Sequence, residues 1–171
     1  MIETERLLLR RFAPADVDDF VALQTDPEVS RYIQVAQPFG RQQAGERIQA
    51  DEAEWRERGR RMLAIEERAS GRFVGRVTLH DWEQFGETEV GWALRGDARG
   101  RGFATEAARA YASWGFRNFA VPYLTAMIRP DNARSIAVAA RLGMTELRTD
   151  VLSGNPVVVY SVTRRDSSGW P

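Results

Sequence analysis

The order of elements in this chain predicts an α/β domain built on a mixed sheet with helices on both faces. Three observations carry that expectation. The first half is rich in short apolar segments divided by turn residues, residues 87–143 read as strand, helix, strand, helix, and the last stretch reads as a hairpin. With 171 residues the chain can bury one full core and not two comfortable ones, so residues 1–171 are read as a single domain.

Taken in order, residues 6–12 read as a strand, and 15–25 as a helix with sides defined by Val17, Phe20, Val21 and Gln24. Asp26 and Pro27 mark a turn. Residues 32–39 are too apolar for a free linker and too broken for one element, and 42–58 form a charged helix that ends near Gly59. Strands over 62–67 and 72–79 are joined by a turn at 69–71, and a third strand covers 87–94. Phe103, Ala107, Ala110, Tyr111 and Trp114 recur at offsets of three and four, which puts them on one buried helix face. A strand over 123–128 is stopped by Pro130; Asp131 or Asn132 caps the helix that follows, and Gly143 ends it. Strands over 145–152 and 157–162 form a hairpin across 153–156, while 164–171 lack periodicity and are read as a flexible tail.

Composition removes several function classes. Acidic and basic residues number 24 each and are interleaved, giving no electrostatic case for a nucleic-acid or membrane partner. No apolar run is long enough to cross a bilayer and the N-terminus has no signal-peptide core, so a cytoplasmic protein is expected. The absence of cysteine removes a thiolate nucleophile, and a single histidine, His80, leaves no histidine cluster, so no metal is expected. Every basic residue is arginine, for which codon bias in a GC-rich genome is a better explanation than selection for bidentate contacts.

The strongest local signal is the turn at residues 99–106, Arg-Gly-Arg-Gly-Phe-Ala-Thr-Glu, directly ahead of the amphipathic helix. Without side chains at Gly100 and Gly102 the backbone can turn tightly and approach a ligand, where free N–H groups and the positive end of the helix dipole favour a phosphate. A P-loop needs a lysine, and the chain has none. The dinucleotide fingerprint would need glycine at Thr105. What remains is R-x-x-G-x-A, carried by Arg99, Gly102 and Ala104. A second segment, residues 129–144, places Asn132 after a strand, Ser135 three residues later, and a helix ending in Leu142, Gly143 and Met144. A third, residues 2–16, reads as an opening strand and helix start.

These three segments, in this order, resemble the GCN5-related N-acetyltransferases, the GNAT superfamily, in its RimJ/RimL-like branch. The resemblance implies a mostly antiparallel sheet with a V-shaped strand splay at an acyl-CoA site, and acetyl transfer from acetyl-CoA to a primary amine in a ternary complex. The amine would be a peptide or protein N-terminus or a small molecule, and the protein a monomer or homodimer. By position, the pyrophosphate would lie on Arg99, Gly100, Arg101, Gly102, Phe103, Ala104 and Thr105, and the pantetheine arm along Trp92, Ala93 and Leu94, with Asn132 and Ser135 at the second signature. Gly91 marks a bulge or close approach in that strand, or simply relieves packing beside Trp92.

Acyl transfer also needs a base and an acid. Glu89 is the expected base, sharing a strand face with Glu87; Glu87, His80 and Asp81 are substitutes, and a solvated pair of glutamates is the more common fate of such residues. Many family members use a tyrosine as acid, but the matching position here is Ala139, so the role passes to Ser135, which can also serve in helix capping. Tyr32, Phe39, Trp82 and Phe85 are expected in irregular segments, where they would line the acceptor pocket with His80 and Glu87 or close a satellite core. A non-catalytic acyl-CoA sensor or scaffold is the alternative, and a nucleotide module of another type a weaker one.

Overall fold

In the computed structural model, residues 1–33, 39–167 and 169–170 are described. The chain opens with strands β1 (Ile2–Glu3) and β2 (Leu7–Arg10), then helices α1 (Val17–Thr25), α2 (Pro27–Ser30) and α3 (Arg41–Arg58). A meander follows, β3 (Met62–Glu67), β4 (Arg72–Trp82) and β5 (Glu87–Leu94), then α4 (Phe103–Asn118), β6 (Tyr123–Ile128), α5 (Ala133–Arg141) and the hairpin β7 (Thr145–Leu152) and β8 (Asn155–Thr163).

Among the described residues the strands form one sheet in the order β1-β2-β3-β4-β5-β6-β8-β7. Every neighbouring pair is antiparallel except β5 and β6, which run parallel and meet at Glu89↔Thr125. The fold class expected from the element order is therefore present, with mostly antiparallel pairing.

Strand alternation divides the sheet between two cores. Val77, Leu79 and Val90 face α4, packing with Phe103, Ala107, Tyr111 and Phe116. Full burial of a side chain such as Phe103 contributes about 1.5–3 kcal/mol. On the opposite face, Met62 packs with Phe20, Ala44 and Ile48, while Ala64 and Ala93 pack with Leu23 and Val29. This second face is the one that becomes the site.

Three boundaries differ from expectation for local reasons. β4 does not end at Leu79: its ladder with β5 continues to Trp82↔Glu87, so His80 and Trp82 belong to the sheet and not to a loop. The expected turn at Asp26 and Pro27 starts α2, because Asp26 Oδ1 accepts the Glu28 N–H at 2.9 Å and Pro27 sits in the first turn. The last hairpin turns at Ser153 (φ 49°) and Gly154 (φ 80°), two successive left-handed residues, which lets β8 start at Asn155. Of the segment read over 32–39, residues 34–38 lie outside the described residues, as do 168 and 171 of the tail. Within that tail, Trp170 packs against the α4-side core and the Arg109 guanidinium lies 5.9 Å from its ring centroid. Among the described residues, no helix is long and apolar enough to cross a membrane.

Candidate active site

The glycine turn has the backbone its sequence implies: Gly100 and Gly102 take φ of 75° and 83°, and Gly102 is the N-cap of α4. The turn is clamped from behind. Arg6 Nη1 donates to the Arg101 carbonyl at 2.9 Å, Arg6 Nε donates to Glu106 Oε2 at 2.7 Å, and Thr4 Oγ1 donates to Glu106 Oε1 at 2.6 Å. These bonds hold the Glu106 carboxylate below the ordinary carboxylate range despite partial burial. The connection between β1 and β2 thus fixes the first turn of α4, which is how a distant N-terminal segment comes to hold the glycine turn.

Not every expected contact of the turn faces the same way. Arg99 is held by Asp26 Oδ2 at 2.5 Å and donates to the Leu94 carbonyl at 3.2 Å, at the cavity edge. Arg101 does not join it: its guanidinium pairs with Glu67 and lies over the Phe103 ring at 4.3 Å, outside the cavity lining. Its carboxylate partner on β3 draws it away from the turn's open side.

A cavity of about 1580 Å³ runs from this turn, past β5 and β6, to the face beneath α1 and α3. Gly100, Gly102, Phe103, Ala104 and Thr105 line one end, with Asn132 and Ser135 beside them. Trp92, Ala93 and Leu94 form the middle, joined by Ala126, Met127 and Ile128 of β6. Tyr32, Phe39, His80 and Trp82 line the remainder, with Glu89 at the β5–β6 junction.

Gly91 carries no bulge toward β4, since the ladder runs in register through Gly91↔Thr78. A Cβ there would stand 2.9 Å from Thr78 Cγ2, so the glycine serves cross-strand packing. At the second signature, Asn132 is the cap: its Oδ1 accepts the Ser135 N–H at 3.2 Å. Asp131 instead pairs with Arg31 at 3.3 Å, and its carbonyl accepts the Tyr32 hydroxyl at 3.3 Å. Together with Arg134–Glu28 at 3.0 Å, these contacts tie the α2 segment to the start of α5. Ser135 enters the cap through its backbone N–H and lines the cavity, whereas Ala139 is fully buried in the core.

Glu89 accepts the Trp82 indole N–H at 2.7 Å and the Met127 backbone N–H at 3.0 Å. Burial pushes its carboxyl above the ordinary value of 4.5, and those two donors only partly offset it. The three substitutes differ. Glu87, placed with the substrate site from sequence, lies outside the cavity; it takes a bidentate grip from Arg148 at 2.6 and 3.0 Å and accepts the Tyr123 hydroxyl at 3.3 Å. Asp81 is held by Arg60 at 2.8 and 2.9 Å and by Thr88 at 2.8 Å, bonds that bring its pKa below the usual range despite burial. His80 is pushed from 6.5 to about 4 by burial and by the neighbouring Arg61, which contacts its Nδ1. It is a neutral imidazole at neutral pH, set edge-on to Trp82 with centroids 4.5 Å apart.

Phe85, in the turn after Trp82, also lies outside the cavity, packed beside Trp82 and under Arg148. Phe39 does both things expected of it, lining the cavity and packing edge-on to Phe20 at 5.8 Å. Sequence reasoning missed Gln24, Arg76 and Met127. Arg76, Thr78 and His80 stand at two-residue intervals among Val77 and Leu79, so the polar face of β4 was visible; that it floors a cavity was not.

Comparison with known proteins agrees with this geometry. Residues 6–145 match the model of the acetyltransferase (GNAT) domain family. The uncharacterized N-acetyltransferase p20 of Bacillus licheniformis is 28% identical over 173 residues, covering 97% of each chain. The acetyltransferase from Agrobacterium tumefaciens superposes with a TM-score of 0.81 at 30% identity, over 95% of this chain and 94% of that one. RimJ of Mycobacterium smegmatis, solved with a CoA-disulfide, superposes with a TM-score of 0.80 at 20% identity, over 96% and 85%. The chain belongs to the GNAT acetyltransferase family and is an acetyl-CoA-dependent N-acetyltransferase.

Proposed function

We propose that this cavity transfers an acetyl group directly from acetyl-CoA to a primary amine, with Glu89 as base and Ser135 as acid. The observation that carries the reading is the continuity of one cavity from the Gly100–Thr105 turn to the Glu89 carboxylate. The pyrophosphate fits the turn because Gly102 at φ 83° leaves the α4 amides open to a ligand. The pantetheine arm lies along Trp92, Ala93 and Leu94, where the Glu89↔Thr125 pairing of β5 and β6 supports a V-shaped opening. A backbone amide of that stretch faces the acyl oxygen as charge develops on it.

Glu89, directly or through a water, takes a proton from the acceptor ammonium. The amine nitrogen forms a bond to the thioester carbonyl carbon and gives up its second proton to solvent, and the carbon–sulfur bond breaks. Ser135 donates its hydroxyl proton to the departing thiolate and regains one from solvent. Its place on the cavity lining supports that role. The raised pKa of Glu89 fits a base better than the lowered one of Asp81.

The test is a thermal-shift series with acetyl-CoA, coenzyme A, ATP and NAD, followed by thiol release across an amine library. Stabilisation by the two coenzymes alone, and thiol release with an amine, are expected. Coenzyme binding without release from any amine would favour a non-catalytic acyl-CoA binder.

A further inference from the structure

Arg76 is unlike most arginines of this chain. Arg10 holds Asp16 and Glu66, Arg61 holds Asp51 and Glu54, and Arg148 holds Glu87 and Asp150. Arg76 lines the cavity, yet its Nε is buried with no hydrogen-bond partner, and it forms no ion pair among the described residues. A guanidinium partly withdrawn from water, with its Nε buried and no carboxylate paired to it, is costly, and the cost is offset when a ligand brings an anion.

The neighbourhood has the same bias. Burial and the nearby Arg47 and Arg61 lower the Arg76 pKa to about 10, and Glu89 opposes them. Arg47 on α3 also lines the cavity and forms no ion pair among the described residues. Arg76 and Glu89 share the β4–β5 face beneath α1 and α3, since Arg76↔Ala93 and His80↔Glu89 are register pairs separated by an even number of residues. One face therefore offers a carboxylate for an ammonium and an unpaired guanidinium for an anion. Phe20, Phe39 and Met62 supply the apolar wall between α1, α3 and β3.

We infer that the acceptor amine also carries a carboxylate, gripped by Arg76 with support from Arg47, and an apolar side chain. The planar guanidinium fork suits a carboxylate, and Glu89 takes the amine end of the same molecule. This rests on the acetyltransferase reading of the cavity. Two sources share the chemistry: a free amino acid, or the acidic side chain of an N-terminal residue.

Thiol release is measured with phenylalanine, leucine, their carboxamides and the dipeptide amide Asp-Phe-NH2. In parallel, each is titrated against the protein saturated with coenzyme A, which reads binding without turnover. The expected result is a preference of about tenfold or more in kcat/KM and in affinity for a carboxylate-bearing acceptor over its carboxamide. That preference should collapse in Arg76→Gln and weaken in Arg47→Ala, an exposed position that keeps the test valid if the first variant misfolds. Preference for free amino acids or for the acidic dipeptide identifies the source. Equal use of acids and carboxamides, or a preference unchanged in both variants, overturns the inference while leaving acetyl transfer standing. Arginine-dependent binding of the acids without thiol release would instead uphold the anion site and count against transfer.

Discussion

The indole N–H of Trp82 donates to the Glu89 carboxylate at 2.7 Å, across the β4–β5 hairpin. With the Met127 amide on the other oxygen, this bond fixes the carboxylate at the junction of the two parallel strands. Replacing Glu89 by Gln keeps the shape and removes the proposed base. We expect kcat to fall about 10²-fold or more, the ascending acidic limb of the pH–rate profile to vanish, and the acetyl-CoA thermal shift to survive. Because burial raises the Glu89 pKa, the wild-type limb should lie above the ordinary glutamate value of 4.5. A retained limb in the variant would move the base elsewhere.

The glycine turn gives a binding test separate from chemistry. At φ 83°, Gly102 lies where L-residues are strained, and an added Cβ would stand 3.3 Å from Arg6 Nη2, part of the clamp. Gly102→Val should abolish the thermal shift with coenzyme A. Normal binding by this variant would place the pyrophosphate on other residues.

Asn132 and Ser135 separate stability from rate. Since Asn132 Oδ1 is the acceptor that caps α5, Asn132→Ala should cost on the order of 1 kcal/mol in a denaturation experiment. Ser135→Ala should leave stability nearly unchanged and slow turnover. A variant that loses stability but not rate would return Ser135 to a structural role.

His80 is the only histidine, so one imidazole resonance reports it in a proton NMR titration. The folded protein should titrate near pH 4, well below the ordinary 6.5. With the folded pKa lowered, the stability owed to neutral His80 is fully present above pH 6.5 and is lost as pH falls toward 4. The stability difference between wild type and His80→Gln should therefore shrink over that window. An imidazole that titrates at 6.5 would refute the burial and the Arg61 contact together.

Much of the fold was legible because the sequence states it locally. The period of α4, the Asn132 cap and the paired glycines are each a short-range pattern with one physical meaning. Side-chain direction was less legible. Nothing near Arg101 in sequence announces Glu67, and nothing near Glu87 announces Arg148; each partner arrives through sheet pairing or a loop and turns its residue away from the cavity. Trp82 reads as a loop residue because its strand ends in a polar, turn-like run, yet the ladder with β5 carries it into the sheet. Arg76 was hidden for the opposite reason, since a polar residue on an alternating strand reads as solvent-facing until the helices above it are placed.

Direct transfer between two bound substrates is the central claim, and initial-rate kinetics test it most directly. With an acceptor from the amine library, rates are measured over a grid of acetyl-CoA and acceptor concentrations. The proposed binding of both molecules in one cavity, in a chain without cysteine, predicts double-reciprocal lines that intersect. Parallel lines, or an acetylated enzyme isolated in the absence of acceptor, would contradict it.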